Sequence, residues 1–199
     1  MAILGLWPRP PSPLRPTRRA PLLAWLAGVL LTAAPALPAA MAAIGEYQIK
    51  AIFVFNFAQF VQWPPAALPT GQSPLVIGVL GADPFGAYLD EVVRGEKIEG
   101  HPLEVRRYGR IEDVNGCQIL FISQSENDRL DRILADLKGR SILTVSEASG
   151  FGARGGMIDM VTVDHKIRLR INVAAARAST LTISSKLLRP AEIVATEKE

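Results

Sequence analysis

Between residues 45 and 63 apolar side chains recur at two helical spacings at once. Tyr47, Ala51, Val54, Ala58 and Val61 make one stripe, while Phe53, Phe57 and Phe60 make a second at i, i+4 and i+7. The spacing predicts a helix from Gly45 to Trp63, ended by Pro64-Pro65. One stripe suffices for a core. The second either packs within the same domain or meets a partner protein or another copy of the chain. Leu75 to Leu80 is a continuous apolar run bounded by Pro74 and Gly81, as expected of a strand buried on both faces. Asp83 then reads as a helix cap with Pro84 at the first position, and Phe85, Leu89, Val92 and Val93 keep helical spacing up to Gly95.

Further strands are predicted at Leu103 to Tyr108, Gln118 to Ser123 and Ser141 to Ser146. Ahead of the last of these, Ser125 and Asp128 open a helix that turns Leu130, Ile133, Leu134 and Leu137 inward and stops at Gly139. Met157 to Val163 and Ile167 to Val173 alternate apolar with polar around Asp164-His165-Lys166, the pattern of an antiparallel hairpin. Arg168, Arg170 and Asn172 fall on one of its faces, opposite Ile167, Leu169 and Ile171. A helical stretch follows from Ala174, interrupted near Ser179 and Thr180, with a second short turn through Lys186-Leu187-Leu188. The order of elements calls for a single three-layer, Rossmann-like α/β domain. It should have a mostly parallel sheet, helices on both faces, and the C-terminal hairpin at one edge.

The first residues do not fit that domain. Arg9, Arg15, Arg18 and Arg19 form a basic stretch, an apolar run from Leu22 to Ala34 follows, and Ala40-Met41-Ala42 offers small residues at the positions a signal peptidase reads. The apolar run is short for a membrane span of about 20 residues, and Pro35 and Pro38 break it. Residues 1–42 therefore read as a cleaved signal peptide and 43–199 as the exported domain. Pro21 stands where a twin-arginine signal usually has phenylalanine, so the general secretory route is expected. Removing the leader also changes the charge. The chain has 22 Lys+Arg and 19 Asp+Glu, and the four leader arginines leave 18 against 19, a net of −1. The pI of about 9.2 thus belongs largely to the leader and does not argue for nucleic acid as a partner.

Composition narrows the chemistry too. Cys117 is the only cysteine, so no disulfide forms within the chain, and its apolar surroundings predict a buried packing residue. The two histidines, His101 and His165, fall at a strand boundary and in the hairpin turn, where exposed turn residues are expected. With no G-x-S-x-G, S-x-x-K or H-E-x-x-H, no catalytic constellation and no metal site is predicted. The junction Gly78 to Gly86 lacks both the dinucleotide and the P-loop glycine spacing, and a capping Asp83 opposes phosphate there; no cofactor is expected. Arg168, Arg170, Arg177 and Lys186 form the one basic grouping, either solvated or suited to an acidic partner surface.

Several segments together resemble the YfiR family. They are Glu46 to Ala51, Phe55 to Ala58 with Trp63-Pro64, Val79 to Gly86, Cys117 to Ser123, Gly155 to Ile158, Ile171-Asn172 with Ala175 to Arg177, and Ile183 to Leu188. The resemblance spans essentially the whole chain after the leader. It implies a periplasmic regulatory binding protein that restrains an inner-membrane diguanylate cyclase through the cyclase's periplasmic region. An outer-membrane lipoprotein, as a possible sequestering partner, and a homodimer are also implied, as are cyclic di-GMP and biofilm formation as readouts. The polar positions it marks are Lys50, Asn56, Asn172, Arg177, Ser184 and Lys186, with Asn172 also reading as a helix cap. Some relatives carry a cysteine pair, and here Gly78 stands at one of its positions. The alternative reading is a small-ligand sensor that uses the carboxyl edge of the sheet as its pocket.

Overall fold

The apolar runs become the strands of one eight-stranded sheet. The computed structural model describes residues 36–68 and 73–196, so the leader's basic stretch and its apolar run lie outside the described residues. The elements run α1 (Ala36–Phe60), β1 (Val61–Gln62), β2 (Leu75–Leu80), α2 (Ala87–Val93), β3 (Lys97–Ile98), β4 (His101–Tyr108), β5 (Ile119–Ile122), α3 (Leu130–Leu137) and β6 (Leu143–Ser146). They continue with β7 (Ile158–Val163), β8 (Lys166–Ile171), α4 (Val173–Ala178), β9 (Thr182–Ile183), α5 (Ser185–Leu188) and β10 (Glu192–Ile193). The order across the sheet is β10-β8-β7-β6-β5-β2-β4-β3. The block β4-β2-β5-β6-β7 is parallel, and β8 returns antiparallel to β7. This is the mixed α/β, mostly parallel architecture that the alternation of elements predicts.

Strand alternation divides the interior into two cores. Leu75, Ile77 and Val79 of β2, with Ile119 and Phe121 of β5 and Leu143 and Val145 of β6, pack with α1, α2, α4 and α5 on one face. Val76 and Leu80, with Leu120 and Ile122, pack with Leu130, Ile133 and Leu137 of α3 and with Phe151 on the other. Toward the hairpin this second face turns polar. It carries Thr144 and Ser146, whose hydroxyls bond the Met157 amide and the Ile122 carbonyl, and Asp159, which is buried.

Several element boundaries differ from the sequence prediction, each for a local reason. Helix α1 already includes Ala36, the first described residue, well ahead of Gly45, in keeping with an Ala36 to Ala43 stretch rich in the strongest helix former. It ends at Phe60, because Val61 and Gln62 pair antiparallel with Ile183 and Thr182. Asp83 caps a turn ahead of the helix: its Oδ1 accepts from the Phe85 amide at 2.7 Å and its Oδ2 meets Arg107, while α2 begins only at Ala87. Ser123, not Ser125, opens the next turn, a 3-10 segment at Gln124–Arg129 that precedes α3. The hairpin does not form the bare edge of the sheet, since β10 pairs in parallel with Arg170 and Ile171 of β8. Its turn is the two residues Asp164 and His165, both at positive φ (49° and 60°), a primed turn that matches the twist of the flanking strands. His101 is buried at the head of β4, its Nδ1 donating to the Ser73 carbonyl at 2.8 Å.

Candidate partner-binding surface

Helix α1 shows how the sequence builds a face that the domain itself leaves uncovered. Ala51, Val54, Phe57 and Ala58 are fully buried against the sheet. Burial of a side chain as large as Phe57 contributes about 1.5–3 kcal/mol, so this residue is spent on the core and presents no surface to a partner. The stripe that stays open is rotated from the predicted one. Ile49 is 51% and Ile52 42% exposed, and Phe53, Asn56 and Phe60 continue the same side of the helix at partial exposure. The Phe53 ring leans on Phe57 at 6.4 Å between centroids, so it is supported from below.

Beneath that stripe lies a charged cluster. The Lys50 side chain is 4% exposed and its Nζ meets Glu46 Oε1 at 2.6 Å and, more closely, Glu147 Oε2. Tyr47 donates its hydroxyl to Glu147 Oε1 at 2.8 Å, and its ring lies 4.9 Å from the Lys50 ammonium. Thr162 of β7 donates to Glu46 at 2.6 Å. Burial first, then the donation to Glu147, raises the Tyr47 hydroxyl's pKa; the Lys50 bond, and next that from Thr162, lowers the pKa of Glu46. Glu147 directly follows β6, so the cluster bolts the middle of α1 to the ends of β6 and β7. Lys50 is therefore a structural anchor, which corrects its place among the surface candidates. A lone acid after a strand carries no sign of its partner in the sequence, which is why the tie of Tyr47 and Lys50 to Glu147 escapes a reading by pattern.

The remaining candidates divide between the two sides of the sheet. Phe60 accepts at its carbonyl from the Ser184 amide at 2.8 Å, and the β1–β9 ladder lies alongside. Arg177 lines a small cavity of about 80 Å³ with Thr182 and Ile183, and Ser184 caps α5, accepting from the Lys186 amide. Phe60, Arg177, Ser184 and Lys186 thus gather where α1 ends. Arg168 and Arg170 do not join them: they lie on the opposite face of β8, with Arg170 bonded to Glu192 at 3.0 Å. Asn172 is fully buried. Its Oδ1 accepts from the Ala175 amide and its Nδ2 donates to Gly152 and Thr196, so it caps α4 and holds the C-terminal segment instead of meeting a partner.

The carboxyl edge of the sheet, where an open α/β fold binds ligands, has its switch point between β2 and β5. That crevice is filled. Ser125 Oγ accepts from the Ala82 amide at 2.9 Å, and a Cβ built on Gly81, at φ 88°, would stand 2.5 Å from that oxygen and 2.8 Å from the Glu126 side chain. The glycine is required there by both the backbone angle and the close approach. An open groove of about 870 Å³ lies elsewhere, between α3, the loop at Arg154 and α4. Among the described residues no group of three or more His, Cys, Asp and Glu is placed to hold a metal ion, and no helix is long and apolar enough to cross a membrane. A family model described as YfiR/HmsC-like matches residues 47–192, while no curated protein matches the chain.

Proposed function

Because the chain belongs to the YfiR/HmsC-like family, we propose that it is a periplasmic regulator that acts by binding, without turnover, to restrain an inner-membrane diguanylate cyclase. Residues 1–42 direct it out of the cytoplasm and are removed. The observation that carries the reading is the outer face of α1, where Ile49, Ile52 and Phe53 stand exposed or half-exposed on a helix held rigid by the Lys50 cluster. Exposed isoleucines on a preorganised helix offer apolar contact area with little ordering cost on association. The gathered Arg177, Ser184 and Lys186 at the end of α1 extend that face with positive charge suited to an acidic partner. Restraint follows if this face prefers the inactive cyclase, since a ligand shifts an equilibrium only by its differential affinity. An outer-membrane lipoprotein that covers the same face would release the cyclase.

The test is cellular cyclic di-GMP in the native host after deletion of the gene. Deletion should raise it, and complementation by the complete chain should lower it again. A form lacking residues 1–42, or one carrying Ile49→Glu and Ile52→Glu, should not. No rise under conditions where the protein is expressed, or full rescue by the substituted form, overturns the proposal. The groove between α3 and α4, at about 870 Å³, is of small-ligand size and favours a second reading as a metabolite sensor. Stabilisation of the purified chain by a soluble metabolite alone would select it.

A further inference from the structure

Polar side chains stand in a row across the last strands of the sheet. The register sets Ser146 of β6 beside Asp159 of β7, Asp159 beside Arg170 of β8, and Arg170 beside Glu192 of β10. Residues directly opposite in a sheet project from one face, so the row lies on the α3 side, away from Ile158, Met160, Leu169 and Ile171 of the α1 core. Bonding along the row is uneven. The Ser146 hydroxyl is committed, donating to the Ile122 carbonyl at 2.7 Å and accepting from the Ala148 amide at 3.1 Å. Arg170 Nε donates to Glu192 at 3.0 Å. Asp159, only 3% exposed, is left between two engaged neighbours with its Oδ1 unbonded. Buried polar atoms without a partner are rare, and such an atom calls for a reason.

The segment at the open end of the row is lightly held. Residues 192–196 cross the end of β8 as a strap: β10 pairs with Arg170 and Ile171, the Val194 amide donates to the Ile171 carbonyl at 3.0 Å, and Thr196 Oγ1 accepts from Asn172 at 2.8 Å. Its residues are exposed except Val194, which is half-buried over Gly152. The charged tether is weak as well, since the Arg170 and Glu192 side chains are 43% and 63% exposed and an exposed ion pair contributes little. Thr196 also forms part of the wall of the groove between α3 and α4.

An ionised Asp159 upsets this arrangement. A buried anion demands a counter-charge more strongly than the solvated Glu192 does, and Arg170 stands beside it with guanidinium N–H groups still to offer. The charged groups on this face are Asp159, Lys166, Arg168 and Arg170 of the hairpin and Glu192 of β10. The loop after β6 commits Glu147 to Lys50 and Arg154 to Asp131, and α3 turns Leu130, Ile133 and Leu137 to the sheet. We propose that Arg170 is a shared arm, and that ionisation of Asp159 draws it from Glu192 and releases the strap at residues 192–196 from β8. Protonation returns the arm to Glu192 and closes the strap, with Thr196 back in the groove wall. With the strap closed, burial holds the Asp159 carboxyl at about 6, against the pull of Arg170 and with a push from Glu192; opening to water returns it toward the ordinary 3.8. The closed form therefore binds the proton more tightly, and its advantage, complete below about pH 4, is lost as pH rises to about 6. From pH 5 to pH 7.5 that shift multiplies the opening constant by about ten.

Amide hydrogen exchange of the protein purified from expression of the complete sequence tests this, with each rate divided by the intrinsic rate at that pH. Protection of the Val194 amide should fall about tenfold from pH 5 to pH 7.5. Low urea should leave it unchanged while lowering the protection of Phe121 in β5, which separates release of the strap from global unfolding. In Asp159→Asn, which keeps the side chain's shape without its charge, Val194 should hold its pH 5 protection at pH 7.5; circular dichroism checks that the variant folds. In the wild type the Arg170 Nε–H resonance should shift with the same midpoint as the Asp159 carboxyl. No fall in protection, a fall that persists in Asp159→Asn, a urea dependence at Val194 equal to that at Phe121, or an Arg170 resonance indifferent to the Asp159 titration overturns the proposal.

Discussion

Asp159 sits in the polar patch beside Ser146, buried, with one carboxylate oxygen that has no hydrogen-bond partner. Burial pushes its pKa up to about 6; Arg170 pulls it down and Glu192 adds to the rise. The neutral form is thus the one the fold favours. As pH climbs from about 4 the unfolded chain gives up this proton first, so folding loses stability across the interval to about 6 and levels off above it. Asp159→Asn removes the titration. The variant should be flatter than wild type between pH 4 and 6 and about 1–3 kcal/mol more stable at pH 7, as read by urea unfolding at each pH. An unchanged pH profile would show that Asp159 titrates as it does in water. At this scale the sequence is least informative: alternation assigns Asp159 to a strand face, but only the loop and the C-terminal segment decide whether that face is wet.

Helix α1 is held by two different kinds of contact, and they fail differently. Its apolar side is ordinary core, whereas Lys50 brings a charge under cover that Glu46 and Glu147 balance. Removing one partner of a buried pair leaves the other unpaired, so Lys50→Met should cost about 3–5 kcal/mol, while Lys50→Met with Glu147→Gln should recover most of it. Denaturant midpoints of the single and double variants check this, and equal losses in both would mean that the cost does not come from an unpaired Glu147. The elements themselves follow legibly from sequence where an apolar run or a full helical stripe is present, as in β2, β5 and the buried side of α1. The two-residue strands β1, β3, β9 and β10 are not legible, because two residues carry no period and their pairing is decided by distant partners. The same limit explains the open stripe on α1. Periodicity shows that a helix has two apolar sides but not how far around its circumference the sheet reaches.

Pro38–Glu199 behave as one compact unit with a core on each face of a shared sheet, so loss of either core exposes the strands of both. Cys117 reports on that coupling. It is buried beside Tyr108 and Gly78, its sulfur faces the Ile119 carbonyl at 2.9 Å, and burial pushes its thiol up to about 12. A thiol reagent at pH 8 should therefore modify it only through opening of the whole domain. The free energy from the labelling rate should match that of global unfolding, as measured by mass spectrometry across a urea series. Faster labelling would reveal a local opening at β5. The ladder between Val61–Gln62 and Thr182–Ile183 has one further consequence. It ties the first segment of the domain to nearly the last, so in a chain that emerges from its amino end α1 has no finished seat until almost every residue has arrived. The end of α1 is consequently among the last parts of the molecule to be set in place, and a chain cut short before Thr182 would lack both β9, which pairs with that end, and β10, the outermost strand beside β8.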